Sequence, residues 1–147
     1  MSADGVFRIL QIEDNQGDVV ALRRSLSRTG VDITVQAVPK AERALDILRE
    51  TPSHHFGLIL IDINLPGMGG LDLLKLLKTY AISAGTPLFV LTSSQSEADV
   101  ALAYARGADG YLVKPDDAAG YAALAGFLAD IWKGGAMPAY AGLRAPR

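Results

Sequence analysis

The chain alternates between two hydrophobic patterns. Short apolar runs of four to six residues are separated by longer stretches whose apolar positions recur every three or four residues. Residues 7–12, Phe-Arg-Ile-Leu-Gln-Ile, read as a first buried strand. Residues 17–28 place Val19, Leu22 and Leu26 on one helical face, and Gly30 is a good stop after them. Residues 33–38 alternate Ile33, Val35 and Ala37 with Thr34 and Gln36, the pattern of a half-exposed strand. Pro39 suits the first turn of a helix that carries Ala41, Ala44, Leu45 and Leu48 on one face and stops before Pro52. A third strand, Phe-Gly-Leu-Ile-Leu-Ile over residues 56–61, is apolar on both faces and ends at Asp62. A Leu-rich helix over 71–80 follows, with Lys75 and Lys78 on its wet side. Residues 87–92 form a fourth strand that tolerates Pro87 at its start. Residues 96–106 form a helix capped by Ser94 or Ser96. Residues 111–113 form a short fifth strand, and Asp116 or Asp117 caps a last helix that runs to about residue 133.

Strand and helix thus alternate five times. That order needs crossover connections, which predict an α/β doubly wound parallel sheet with helices on both faces. At 147 residues, half of them hydrophobic and a fifth charged, the chain can build one compact core. Residues 1–133 are expected to form one domain. Residues 134–147 are loose in composition and are expected to be a flexible tail.

Composition removes several classes of function. The net charge of −2 is far from the basic footprint of a nucleic-acid binder, and Arg23-Arg24 is only a pair. With no cysteine there is no disulfide, thiolate metal site or cysteine nucleophile. Residues 1–5 lack the basic and apolar regions of a signal peptide, and no apolar run approaches the about 18 residues of a membrane span. The expectation is a cytoplasmic protein that contacts neither membrane nor nucleic acid. There is no Gly-x-x-x-x-Gly-Lys-Ser/Thr loop, so direct nucleotide hydrolysis is not expected.

The chemistry gathers at strand ends. Strand one ends in Glu13-Asp14, strand three in Asp62, strand four in Thr92 and strand five in Lys114, whereas strand two ends in Val38-Pro39. Ligands of open parallel sheets bind beyond the carboxyl ends of the strands where strand order reverses, so this distribution suits the order 2-1-3-4-5. Glu13, Asp14 and Asp62 would then crowd together and repel. A hard divalent cation relieves that conflict, and Mg²⁺ prefers carboxylate, carbonyl and water oxygens. Asp14, Asp62 and the backbone carbonyl of Asn64 are its expected ligands. With the Lys114 ammonium and the Thr92 hydroxyl added, the site has the parts for phosphoryl transfer to a carboxylate, which yields an acyl phosphate.

These residues resemble the receiver domain of response regulators, over about residues 7–132. Glu13-Asp14 resembles the acidic pair of that family. Asp62 resembles its phosphoacceptor, in the Asp-x-x-x-Pro-x-x-x-Gly stretch that ends at Gly70. Thr92 resembles the hydroxyl switch residue, Tyr111 the switch aromatic, and Lys114-Pro115 the Lys-Pro pair. Gly69 departs from the pattern, since many members carry Asp there. Asp14-Asn15-Gln16-Gly17-Asp18 and the Phe127…Trp132 ending are similar to the single-domain regulators that partner bacterial phytochromes.

The resemblance implies a flavodoxin-like (βα)5 fold and a two-component phosphorelay. A sensor histidine kinase, in the subfamily a bacteriophytochrome, donates a phosphoryl group to Asp62 with Mg²⁺ present. Glu13 acts on the metal through water. Thr92 and Lys114 then engage phosphoryl oxygens, Tyr111 turns inward, and the face of helix four, strand five and helix five changes shape. Lys114-Pro115 is expected to be cis. The only catalysis implied is self-phosphorylation and autodephosphorylation. Asn64 and Ser94, short and uncharged, would shield the acyl phosphate little from water.

Other readings stand beside these. Tyr111 could be a static core aromatic. Asn15 and Asp18 read as cap and turn residues, and His54-His55 as an exposed pair with poor metal spacing. The last helix is apolar nearly all round, where a surface helix keeps a polar face, so a homodimer through it is expected. A phosphorylation-independent adaptor, a phosphate sink, and a flavin binder or phosphatase on the same fold are the alternatives in function.

Overall fold

The computed structural model describes residues 5–52, 54–134 and 139–146. Strands β1 (Phe7–Ile12), β2 (Ile33–Val38), β3 (Leu58–Ile61), β4 (Leu88–Thr92) and β5 (Gly110–Val113) alternate with helices α1 (Gln16–Ser27), α2 (Ala41–Glu50), α3 (Gly70–Thr79), α4 (Glu97–Ala105) and α5 (Ala118–Trp132). A short β6 (Leu143–Arg144) follows. The sheet order is β2-β1-β3-β4-β5-β6, parallel throughout except for the antiparallel β5–β6 pair. The doubly wound fold and the order 2-1-3-4-5 are as the strand-end chemistry predicts. Element limits fall within two residues of those read from hydrophobic spacing.

The side-chain patterns follow from position in the sheet. β3 lies between β1 and β4, and all four of its residues are fully buried, which accounts for the unbroken Leu-Ile-Leu-Ile. β2 is an outer strand, so Thr34 and Gln36 face water between half-buried Ile33, Val35 and Ala37. One face of the sheet packs on α2, α3 and α4 through residues such as Leu45, Leu74 and Val100. The other packs on α1 and α5 through Leu22, Leu26, Leu124 and Leu128. Phe7 stacks on Trp132 with ring centroids 4.5 Å apart.

Caps settle two open assignments. Asp99 N–H donates to Ser96 Oγ, so Ser96 rather than Ser94 caps α4. Gly120 N–H donates to Asp117 Oδ1, so Asp117 rather than Asp116 caps α5. Gly70, the first residue of α3, is required by packing: a Cβ there would collide with the Asp62 carbonyl and lie 2.8 Å from Ile63 Cα.

Two expectations are corrected. Over residues 139–146 the segment read as a flexible tail is placed against the domain. Tyr111 and Leu112 pair with Arg144 and Leu143. Val113 N–H donates to the Gly142 carbonyl at 2.9 Å, and Tyr140 Oη donates to the Val113 carbonyl at 2.9 Å. The cause is an open strand edge beside α5: β5 has unpaired backbone groups there, and Phe127 has an open ring face that Tyr140 meets at 5.6 Å. The remaining expectations for residues 1–4, 135–138 and 147 lie outside the described residues.

The second correction concerns Lys114–Pro115, which is trans rather than cis. The trans form is intrinsically favoured at X–Pro bonds by about 0.5–1 kcal/mol. Lys114 reaches its carboxylate partners with the trans bond, so nothing in the site offsets that preference.

The apolar character of α5 has a source inside the chain. Tyr121, Leu124, Phe127 and Leu128 are all buried against the sheet, α1 or Tyr140. The exposed positions of the helix are Ala118, Ala119, Ala122, Ala123 and Asp130. Among the described residues no helix is long and apolar enough to cross a membrane.

Candidate functional site

The site forms where β1 and β3 diverge in connection. Glu13 follows β1, its N–H held by the Val38 carbonyl at 2.9 Å. Asp62 follows β3, its N–H held by the Ile12 carbonyl at 3.1 Å. Lys114 follows β5, its N–H held by the Thr92 carbonyl at 2.8 Å. Each functional side chain is thereby fixed by a sheet hydrogen bond of its own residue. Glu13 is 1 % exposed and Asp62 5 %, while Asp14 is exposed.

Lys114 is the hub. Its ammonium donates to Asp18 Oδ2 at 2.8 Å and to Asp62 Oδ2 at 2.9 Å. It lies 2.7 Å from Glu13 Oε1, but as an ion pair outside hydrogen-bonding alignment, so that buried oxygen has no hydrogen bond. The second oxygens are held by backbone: Asn15 N–H donates to Glu13 Oε2 at 3.2 Å, and Asn64 N–H to Asp62 Oδ1 at 3.1 Å.

The electrostatics follow from this packing. Burial, strengthened by the Asp62 charge, pushes the Glu13 carboxyl up from 4.5 to about 7, although Lys114 and the Asn15 N–H pull the other way. Burial alone would depress the Lys114 ammonium. The hydrogen bonds to Asp18 and Asp62 and the close Glu13 carboxylate outweigh it and raise the pKa above the ordinary lysine value.

The donor set fits a hard divalent cation. Glu13, Asp14 and Asp62 each offer a carboxylate oxygen, and these atoms lie within 4.8 Å of one another. All are oxygen donors, and the buried Glu13 Oε1 still has a lone pair open. Lys114 pairs with three acids, Glu13, Asp18 and Asp62, and Asp14 adds a fourth beside them, so the site keeps an excess of negative charge.

Thr92 is fully buried at the end of β4, and its hydroxyl accepts Ser94 N–H at 3.4 Å. Tyr111 is also fully buried. Its hydroxyl donates to the Ser94 carbonyl at 2.9 Å, so the ring already lies inward, tied to the β4–α4 loop. Burial raises the Tyr111 phenol above its ordinary value. Ser94 Oγ donates to Asp99 Oδ2 at 2.6 Å, which makes this serine a junction between β4, β5 and α4. His54 and His55 are exposed, in the loop that precedes β3, at the strand end opposite Asp62.

Two members of the network were not singled out by sequence reasoning. Asp18 reads as a turn residue, yet it sits in the first turn of α1, its N–H capped by Asn15 Oδ1, with its carboxylate on Lys114. Tyr121, on α5, donates from Oη to Asp18 Oδ1 at 3.1 Å. The only sequence signal for Asp18 is an acid one helical turn beyond the acidic pair. Tyr121 reads only as one of the positions that make the last helix apolar nearly all round.

Comparison with known proteins agrees with this geometry. Residues 9–124 match the response regulator receiver domain. The chain is 31 % identical over 121 residues to the probable methanogenesis regulatory protein FilR2 of Methanothrix harundinacea, covering 78 % of this chain and 76 % of that one. It is 43 % identical over 81 residues to the two-component response regulator PhoP of Pseudomonas aeruginosa, covering 55 % of this chain but only 34 % of that protein. Among solved structures, the phosphorylated cyanobacterial phytochrome response regulator RcpA superposes with a TM-score of 0.79 at 24 % identity, covering 90 % of this chain and 99 % of that one. The Mn²⁺-bound response regulator Rcp1 superposes with a TM-score of 0.77 at 25 % identity over the same shares. With its fold, its strand-end acids and its matched length, the chain belongs to the response regulator receiver-domain family.

Proposed function

We propose that this protein accepts a phosphoryl group from a sensor histidine kinase onto Asp62. The observation that carries the reading is Lys114 Nζ, 2.9 Å from Asp62 Oδ2, where the Glu13, Asp14 and Asp62 carboxylates bring one oxygen each within 4.8 Å of one another. An Asp62 oxygen attacks phosphorus. The bond from phosphorus to the kinase imidazole nitrogen breaks, the ring keeps the electron pair, and an acyl phosphate results. Lys114, already on Asp62, moves with the outer oxygen charge, and the Thr92 hydroxyl turns from Ser94 N–H to a phosphoryl oxygen. Mg²⁺ held by Asp14, Asp62 and the Asn64 carbonyl, with Glu13 acting through water, would neutralise phosphoryl charge. Support for a metal of this type comes from the oxygen-only donor set and from the Mn²⁺-bound form of Rcp1. Support for the phosphorylated state comes from RcpA.

Output in this reading is protein contact in the cytoplasm, through the α4–β5–α5 face. Tyr111, Ser94 and Asp99 connect the end of β4 to that face, so movement of Thr92 reaches it. A phytochrome-type kinase is the proposed donor, by analogy with RcpA. A homodimer through α5 would meet mainly on its small residues, because Tyr121, Leu124, Phe127 and Leu128 are buried within the chain. The protein has no catalytic turnover beyond its own phosphorylation and dephosphorylation in this account. The test is chemical mapping: borohydride reduction of the phosphorylated protein, then peptide mass analysis, should convert residue 62 to homoserine. Conversion at another carboxylate would overturn the assignment.

A further inference from the structure

The receiver reading assigns Lys114 a role but leaves open what holds it once the site is loaded. The ammonium has three N–H donors on a flexible four-carbon stem. In the structure Asp62 and Asp18 take two of them along hydrogen bonds, and Glu13 makes an ion pair only. A divalent cation draws on Glu13 and Asp62, and so competes with Lys114 for both. Asp18 does not belong to that cation cluster, so its hold on Lys114 survives loading.

Asp18 is itself fixed. Tyr121 donates to Oδ1 at 3.1 Å, which leaves Oδ2 directed at Lys114. The Tyr121 ring is buried in the α1–α5 core, so its hydroxyl is a rigid donor on a second helix. Burial and the Asp18 charge both raise the Tyr121 phenol, which keeps it protonated and donating. The side chains of Lys114 and Asp62 are 9 % and 6 % exposed, so water competes weakly at that end, while Asp18, 28 % exposed, is held on its inner side by Lys114 and Tyr121.

From this geometry we infer that Asp18, oriented by Tyr121, is a positioning residue that keeps the Lys114 ammonium on Asp62 when the cation and phosphoryl group arrive. The inference rests on Asp62 being the acceptor. Without Asp18 the ammonium loses the one partner it has outside the cation cluster among the described residues and samples other rotamers. The acceptor carboxylate is then phosphorylated more slowly, with the cation still bound.

The experiment compares wild type, Asp18→Asn, Asp18→Glu and Tyr121→Phe with acetyl phosphate and Mg²⁺. Rates are read by intact mass and Mg²⁺ affinity by calorimetry. The Lys114 side-chain ammonium is followed by ¹H–¹⁵N NMR without phosphodonor. Asp18→Asn should slow phosphorylation about tenfold, the scale of one charge-assisted hydrogen bond. It should also broaden the Lys114 ammonium signal while the backbone spectrum persists. Asp18→Glu should recover part of the rate, and Tyr121→Phe should lose about threefold, since one neutral hydrogen bond is worth less than a charged one. A wild-type rate and unchanged ammonium signal in Asp18→Asn would overturn the inference. So would a rate loss explained wholly by weaker Mg²⁺ binding. Equal mass gain in wild type and Asp62→Asn would instead overturn the acceptor assignment, and so separates the two failures.

Discussion

The Lys114 ammonium sits 2.9 Å from Asp62 Oδ2 and at the same time 2.7 Å from Glu13 Oε1, so one cation spans the ends of β1, β3 and β5. That bridge holds together acids that would otherwise repel. It also means that any divalent cation entering the site shares its ligands with a lysine.

Removal of the bridge should therefore be felt as instability that metal relieves. Lys114→Met should destabilise the metal-free protein by about 2 kcal/mol, below the range for a fully buried pair because Asp18 reaches water. Thermal melts in chelator and in Mg²⁺ provide the check. The gain in Tm on adding Mg²⁺ should be larger for the variant than for wild type. The sole tryptophan, Trp132, stacked on Phe7, is a built-in fluorescence reporter of unfolding.

The pH dependence follows from Glu13. Its folded pKa is raised to about 7 from 4.5, so between those values the folded state binds more proton than the unfolded one. Stability of the metal-free protein should fall as pH rises from about 4.5 to about 7, then level off in this contribution. Glu13→Gln should flatten that slope. Denaturant titrations in chelator across this window measure it, and a slope unchanged by Glu13→Gln would contradict the assignment.

Gly70 should be intolerant of change. Its Cβ would run into the Asp62 carbonyl and Ile63, backbone that cannot give way without moving the acceptor. Gly70→Ala should cost about 1–3 kcal/mol, the scale of overpacking, and should slow phosphorylation as well. Melts and phosphorylation rates together distinguish this from simple loss of fold.

Deletion of residues 139–147 should uncover the β5 edge and the Phe127 ring. About 2 kcal/mol of stability should be lost, from two or three backbone hydrogen bonds and the packing of Tyr140. Tyr104→Phe, which loses only the hydroxyl donated to the Arg144 carbonyl, should lose about 1 kcal/mol. Denaturant midpoints check both.

Much of this was legible in the chain because the signals were local. The unbroken Leu58-Ile59-Leu60-Ile61 could only be a strand covered on both faces, and Asp62 at its end could only sit at the sheet's carboxyl edge. Glu13, Thr92 and Lys114 were placed by the same reasoning. What escaped was set by tertiary neighbours. β6 has two residues and no periodicity, and it exists because β5 leaves an edge open. Asp18 looks like any acid in a first helical turn until α5 brings Tyr121 across and β5 brings Lys114. Part of the apolar circumference of α5 is met from within the chain, where Tyr140 packs on Phe127. Tyr111 could be seen to lie near the switch face, whereas its inward position depends on the Ser94 carbonyl, a backbone group no side-chain pattern reports.

The central claim is that Asp62 is the acceptor, and intact mass after incubation with acetyl phosphate and Mg²⁺ tests it most directly. Wild type should gain a single phosphoryl group and Asp62→Asn none, with both proteins folded by Trp132 fluorescence. The same gain in both would contradict the account.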